Sequence, residues 1–301
     1  MSSRFKEIGQ RLRAYRLGRG LTANEIAERI GVSRAAVYRL EKGELVKIET
    51  IEKLAELLDV SLPSLMGVEV EYYNNAISFF ERMRQLEESA THVLGNFSPI
   101  SFLLLSDNYI DHLRTMLNES LRDIDPKAGA PDGQIEKLLE ILRERREAAK
   151  KRRTPVVSIV GSRDLERFLR LGLIGRFDLA PDVAAERRRA AREEIARFIR
   201  LMQNAPIGVQ VGVVVDTPPT QTFQVFEIDN APAVTLSPYR LGDQPNISSG
   251  IALATSAPEA VRLFKNTITG LWGAAHKGEA GARVLRIGDE LRQRASGDIR
   301  R

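Results

Sequence analysis

The chain has 301 residues, 43% of them hydrophobic, with no cysteine and three histidines. At ~150 residues per domain it holds about two domains' worth of core, and the missing cysteines exclude disulfides, thiolate nucleophiles and cysteine-ligated metal centres. The net charge of +5 is concentrated: residues 1–50 carry eleven Lys and Arg against six Glu, while the remainder carries 34 of each sign. A polyanion partner is therefore expected for the N-terminal segment.

Phe5, Ile8, Leu12 and Tyr15 recur at three and four residues, which predicts a helix over Phe5–Leu17 ended by Gly18 and Gly20. Thr22 can cap a second helix carrying Ile26 and Ala27, and Gly31 terminates it. Ser33 caps a third with Val37 and Leu40 inward, closed by Lys42-Gly43. Ile48, Ile51, Leu54, Ala55 and Leu58 define a fourth amphipathic helix, and Ser61 starts a last short one through Leu65.

From Val68 a longer helix is predicted, with Val70, Tyr73, Ile77, Phe80, Met83 or Arg84, and then Glu87 recurring roughly as a heptad suited to a connecting or dimerising role. Tyr72, Tyr73, Phe79 and Phe80 fit a dimer seam or a core. A helix over Asp107–Asp123 follows, then a Pro-, Gly- and Asp-rich loop over Asp125–Gly133, then a helix from Gln134 to Arg153. Beyond Thr154 the pattern is mixed: strands at Val156–Val160, Ile207–Val215, Phe223–Ile228 and Ala233–Leu236, and helices at Arg163–Leu171 and 182–203. Ser256-Ala-Pro-Glu259 reads as a capping box opening a helix that faces Val261, Phe264, Ile268, Leu271 and Ala275 inward. The tail after Ala295 is expected to fray. The stretch Ile207–Val215 is far shorter than the ~20 residues that span a bilayer, and the first residues lack an apolar signal core, so a cytoplasmic location without membrane contact is expected.

Two short helices joined by a tight turn, inside the segment that owns the charge excess, meet the needs of a helix-turn-helix, whose second helix enters a major groove ~12 Å wide while the first crosses the phosphates. The run Gly20-Leu-Thr-Ala-Asn-Glu-Ile-Ala-Glu-Arg-Ile-Gly-Val-Ser-Arg-Ala-Ala-Val-Tyr-Arg-Leu-Glu-Lys-Gly43 resembles the Cro/CI-type (XRE) helix-turn-helix family, and Thr50–Ser61 matches that family's fourth helix and its exit. The resemblance implies a five-helix lambda-repressor-like domain and a sequence-specific transcriptional regulator of double-stranded DNA. By position, the recognition helix starts at Ser33 and turns Arg34, Ala35 and Arg39 to the bases, with Tyr38 at the flank. Arg34 and Arg39 can fork onto guanine O6/N7, and Ala35 can touch a thymine methyl. Thr22, Ser33 and Lys42 fall where the family meets phosphate, and Arg16 and Glu41 match its structural ion pair. One position departs: the family's phosphate-clamping Gln at the start of the second helix is Ala23 here, which leaves Arg11, Arg13 or Arg19 to supply the missing contact.

The remaining residues carry no nucleophile–base pair, no metal-ligand spacing and no phosphate loop, so no enzyme, no cofactor and no metal are expected. His92, His112 and His276 are isolated; Gly161-Ser162 reads as a helix cap, and Lys150–Arg153 as a solvated helix end. Ser101–Tyr109, Ala191–Val213, Thr222–Glu227 and Pro258–Phe264 resemble the effector-type domain that follows the helix-turn-helix in large actinobacterial Cro/CI-type regulators, with altered spacing. That resemblance implies a sensing or partner-docking role. The expected organisation is a mainly α chain with a mixed α/β C-terminal domain: residues 1–67 as the DNA-binding domain, 68–125 as a helical connector and candidate dimerisation element, 126–295 as an α/β regulatory domain, and 296–301 as a frayed tail. A homodimer is expected, because two recognition helices ~34 Å apart read two half-sites. The C-terminal domain is expected to take a small-molecule effector or a protein partner. The alternative is an autoregulatory DNA-binding antitoxin or partner-binding protein whose C-terminal region grips another polypeptide.

Overall fold

The computed structural model describes residues 3–44, 47–67, 70–121, 132–216, 221–229 and 231–286. The chain is mostly helical, with a helix-turn-helix at the N-terminus and a mixed sheet beyond it. It begins with α1 (Ser3–Gly18), α2 (Ala23–Ile30), α3 (Arg34–Glu41), α4 (Ile48–Leu58) and α5 (Leu62–Met66). The punctuation is that of the sequence: Gly31 ends α2 with φ +73, Ser33 caps α3, and Ser61 caps α5.

The continuous helix predicted from Val68 is not what forms. Val68 lies outside the described residues; Val70–Tyr73 is strand β1, and α6 (Ala76–Ser89) begins only after a bend at Asn74-Asn75. The Asn75 side chain accepts from Ile77 N at 2.8 Å and Ser78 N at 3.3 Å, a cap that fixes the start of α6 and breaks the apparent heptad. The segment expected as a helical connector also contributes β2 (His92–Asn96), the 3-10 turn Phe102–Leu104 and α7 (Tyr109–Leu121). After it come α8 (Asp132–Arg152), β3 (Val156–Gly161), α9 (Ser162–Leu171), α10 (Pro181–Gln203), β4 (Val209–Val214), β5 (Thr222–Glu227), β6 (Ala233–Ser237), β7 (Ala252–Thr255), α11 (Pro258–Ala274), β8 (His276–Lys277) and a helix over 278–286. β4 starts two residues later than expected because Val209 N closes a turn onto Pro206 O at 3.0 Å, which leaves Ile207 in solvent. Most of the loop predicted over Asp125–Gly133, and the tail after Ala295, fall outside the described residues.

The sheet order is β1-β7-β6-β5-β2-β3-β4-β8. β2, β3 and β4 are parallel neighbours toward the β8 edge, and every other pairing is antiparallel. The crossovers β2→β3 and β3→β4 advance in the same direction, so right-handed connections put α7–α10 on one face. The period-two alternation sorts the strand residues accordingly. Val225 and Phe223 of β5 join Ile159 and Val214 under α11, whereas Phe226 faces the larger core with Val211 and Val213. Gly212 lies under Trp272, where a Cβ would sit 2.8 Å from Ala275, so α11 can press closely on β4. The capping box expected at Ser256–Glu259 does not form. Ala257 is the cap residue without a side-chain bond, Pro258 occupies the first turn, and Ala257 N donates instead to Thr255 Oγ1 at 3.1 Å. Likewise Gly161, not Ser162, caps α9.

The larger core runs without a break from Leu12, Tyr15 and Ile26 into Tyr73, Phe79 and Phe80. α1 lies along α6, where Gly18 permits the approach: a Cβ there would meet Ser78 Cβ at 2.5 Å. Tyr15 stacks on Tyr73 with centroids 4.9 Å apart, and Gln85 Nε2 donates to Gln10 O at 2.9 Å. At the centre of this seam Glu71 of β1 accepts from Arg11 Nε (2.5 Å), Arg82 Nε (2.8 Å) and the Tyr73 hydroxyl (2.6 Å).

Candidate nucleic-acid interface

α2 begins with a complete capping box: Glu25 N donates to Thr22 Oγ1 at 3.2 Å, and Thr22 N donates to Glu25 Oε2 at 2.7 Å. These bonds hold the Glu25 carboxyl below its ordinary pKa, the Thr22 backbone N–H contributing most. Gly31 then turns the chain, its N–H and that of Val32 both donating to Ala27 O, and α3 starts with Ser33 Oγ accepting from Ala36 N at 3.1 Å.

Val37 is wholly buried and anchors α3, while Ser33, Arg34, Ala35, Tyr38 and Arg39 of the same segment are exposed. The structure thus brings the sequence-predicted base-facing residues onto one outward face. Arg34 lies over the Tyr38 ring at 5.4 Å and donates to its hydroxyl at 3.2 Å, so the guanidinium is held against Tyr38. Arg39 Nε is 3.7 Å from Glu44 Oε2, an exposed pair, and Lys42 at the end of the helix is exposed with no ion-pair partner among the described residues. The Thr22 hydroxyl is engaged by Glu25 Oε2 at 2.8 Å, whereas the Ser33 hydroxyl accepts its cap bond and keeps a proton to donate.

Arg16 and Glu41 meet in a forked pair, Nε to Oε1 at 2.5 Å and Nη2 to Oε2 at 3.2 Å, with both side chains about nine-tenths buried. Arg16 Nη1 also donates to Leu21 O, so this pair joins α1, the turn before α2 and the end of α3. Gly9 lets α1 cross α3: a Cβ there would lie 2.4 Å from Leu40 O. The three arginines expected to replace the missing clamp do not serve it equally. Arg11 is buried on Glu71, and Arg19 donates to Leu58 O at 3.0 Å and pairs with Asp59 at 2.7 Å across the end of α4. Arg13, about half exposed, lies 3.5 Å from Glu81 of α6.

Sequence reasoning missed what stands beside α2. A groove of about 680 Å³ is bordered by Thr22, Ala23, Asn24, Arg34 and Tyr38 on one side and by Gly133, Gln134 and Lys137 of α8 on the other. Nothing in the sequence places residue 137 near residue 23. At the far end of α8, Lys150 pairs with Asp107 at 2.7 Å and Arg152 donates to Glu87 O, so that end is engaged within the chain. Among the described residues no cluster of three or more acidic or histidine side chains can hold a metal, and no helix is long and apolar enough to cross a membrane.

An exposed, capped second helix held across a first helix by a glycine turn defines a helix-turn-helix DNA-binding protein. A family model described as Helix-turn-helix matches residues 12–65. The HTH-type transcriptional repressor RghR of Bacillus subtilis (strain 168) is 34% identical over 99 residues, 31% of this chain and 73% of that protein. The HTH-type transcriptional regulators SinR of Bacillus subtilis (strain 168) and of Bacillus licheniformis are each 32% identical over 80 residues, 25% of this chain and 72% of theirs. The chain belongs to the XRE-type helix-turn-helix family of DNA-binding transcriptional regulators, which are not enzymes.

Proposed function

We propose that the chain is a sequence-specific transcriptional regulator that acts as a dimer, with α1–α5 forming a five-helix lambda-repressor-like domain and the α/β region beyond it serving sensing and dimerisation. Arg34, Ala35 and Arg39 read base edges from α3, Tyr38 supports Arg34, and Ser33, Lys42 and, once its hydroxyl turns from Glu25 Oε2, Thr22 meet phosphate. The observation that carries this reading is the division of α3: Val37 is wholly buried, while the residues that reach base edges share its exposed face. Two such faces one helical turn of DNA apart supply the specificity that a single small domain lacks.

The test is binding of the full-length chain to the duplex upstream of its own coding sequence and to a random duplex, across a salt series, with sedimentation of the complex. Preference for the upstream duplex that persists at ~200 mM salt, with two chains per duplex, is the expected result. Equal binding to both duplexes with only a steep salt dependence would reject sequence-specific recognition, and a single chain per specific duplex would reject the dimer.

A further inference from the structure

We propose that α8 completes the nucleic-acid interface: Lys137 and Gln134 form the outer wall of the groove beside Thr22 and Arg34, and that groove takes a sugar-phosphate strand of the duplex that α3 enters. The proposal rests on the reading of α2–α3 as the DNA-binding unit and extends its contact surface into the α/β region.

Continuity supports it first. The groove shares Thr22, Arg34 and Tyr38 with the exposed face of α2–α3, so a duplex seated on that face runs along it. Charge supports it second. Among the described residues that border the groove none is acidic; the Glu25 carboxylate behind Thr22 is tied to the Thr22 N–H and hydroxyl, and Arg16, the cation at the groove's base, is already neutralised by Glu41. That leaves one cation on each wall, Arg34 and Lys137, with Asn24 and Gln134 as neutral donors beside them. Lys137 is bonded to Glu140 at 2.6 Å, but this is an i,i+3 pair with both partners exposed by more than a third, which water screens and a phosphate can displace.

Rigidity is the third support. The start of α8 is held by Ile135, Leu138 and Leu139, which are buried in the larger core, and Arg114 of α7 adds an exposed fork onto Glu136 at 2.7 and 3.2 Å. Further along, Arg145 of α8 forks onto Glu87 of α6 at 2.9 and 2.6 Å, and α6 is fixed to α1 by the Glu71 cluster. The two walls are thus held by packed helices, and a groove set before binding spares the entropy of ordering a flexible arm. The arrangement also answers the departure at Ala23: a phosphate donor absent from the start of α2 is offered across the groove by α8.

The experiment measures affinity of full-length variants for a mixed-sequence duplex and for the upstream duplex over a salt series, with thermal melting as a check on folding. Lys137→Ala is expected to lose about three- to fivefold on both duplexes at low salt, and to make the slope of log K against log salt shallower by about 0.9, the signature of one phosphate contact removed. Lys137→Arg is expected to keep the wild-type slope, and Gln134→Ala to weaken binding without changing it. If the wild type binds and Lys137→Ala matches it in affinity and slope, α8 does not touch DNA and the proposal falls while the helix-turn-helix reading stands. Tighter binding by Lys137→Ala would overturn it too, since α8 would then obstruct the duplex. If the wild type binds neither duplex, both readings fail together.

Discussion

Arg39 and Lys42 lie one helical turn apart at the exposed end of α3, yet the chemistry of their head groups assigns them different work. A guanidinium can fork onto O6 and N7 of one guanine, so Arg39→Ala should cost ~1–3 kcal/mol on the preferred duplex and little on random DNA. The ammonium of Lys42 is a point charge that any phosphate satisfies, so Lys42→Ala should weaken all sequences alike and make the salt slope shallower by about one. Titrations of both variants against specific and random duplexes check the pair of outcomes, and equal losses for both variants would place α3 outside the major groove. Glu41 differs from both, because its carboxylate is spent on Arg16 inside the fold. Glu41→Gln leaves a buried guanidinium without its charge partner and should lower stability by ~3–5 kcal/mol, read from chemical denaturation, before it alters any DNA contact.

At the scale of elements, the helices α1–α5 were legible because their ends are written locally. Thr22, Ser33 and Ser61 cap, and Gly31 is one of few residues that turns at φ +73 without strain. β1 was hidden by an accident of spacing: Val70 and Tyr73 sit three residues apart, Ile77 four further on, and a strand of four residues is too short to show its own period. The signal that could have separated them was Asn74-Asn75, a turn and cap pair of the same kind as Thr22. β2, β7 and β8 were missed for a related reason, being short runs whose pairing partners lie far off in sequence. In the interface, the exposed face of α3 followed from the family pattern, but the wall supplied by α8 depends on tertiary packing that no local pattern encodes. Gly9 makes a related point, since it has an ordinary helical place in the sequence yet stands where α1 crosses α3. Gly9→Ala would gain helix propensity in an isolated helix, but here its Cβ meets the Leu40 and Glu41 carbonyls, which are backbone and cannot swing aside. We expect a net loss of ~1–3 kcal/mol and weakened DNA binding through a shifted α3. A thermal midpoint equal to or above wild type would show that the crossing has slack.

For the whole molecule, the decisive feature is that the helix-turn-helix is joined to the α/β region through a shared core and a buried ion cluster, and this makes the coupling testable by pH. Burial alone would push the Glu71 carboxyl up; the guanidinium groups of Arg82 and then Arg11 outweigh it and hold the group at about 2, against an ordinary 4.5. A pKa depressed on folding gives stability that is fully present above the unfolded value and is lost as pH falls toward the folded one. The window is therefore about pH 4.5 down to 2, and the linked free energy is of the order of 3 kcal/mol. Glu71→Gln removes the titrating group and leaves Arg11 and Arg82 facing each other in the seam, so at pH 7 it should cost ~3–5 kcal/mol. Because the variant has no carboxylate to protonate there, the stability gap between it and the wild type should narrow steadily as the solution is acidified through that window. Denaturation at pH 7, 4 and 3 measures the gap directly. If it stays constant with pH, the cluster is not what ties the DNA-binding helices to the sheet, and the stacked Tyr15 and Tyr73 with the α1–α6 packing would have to carry the join alone.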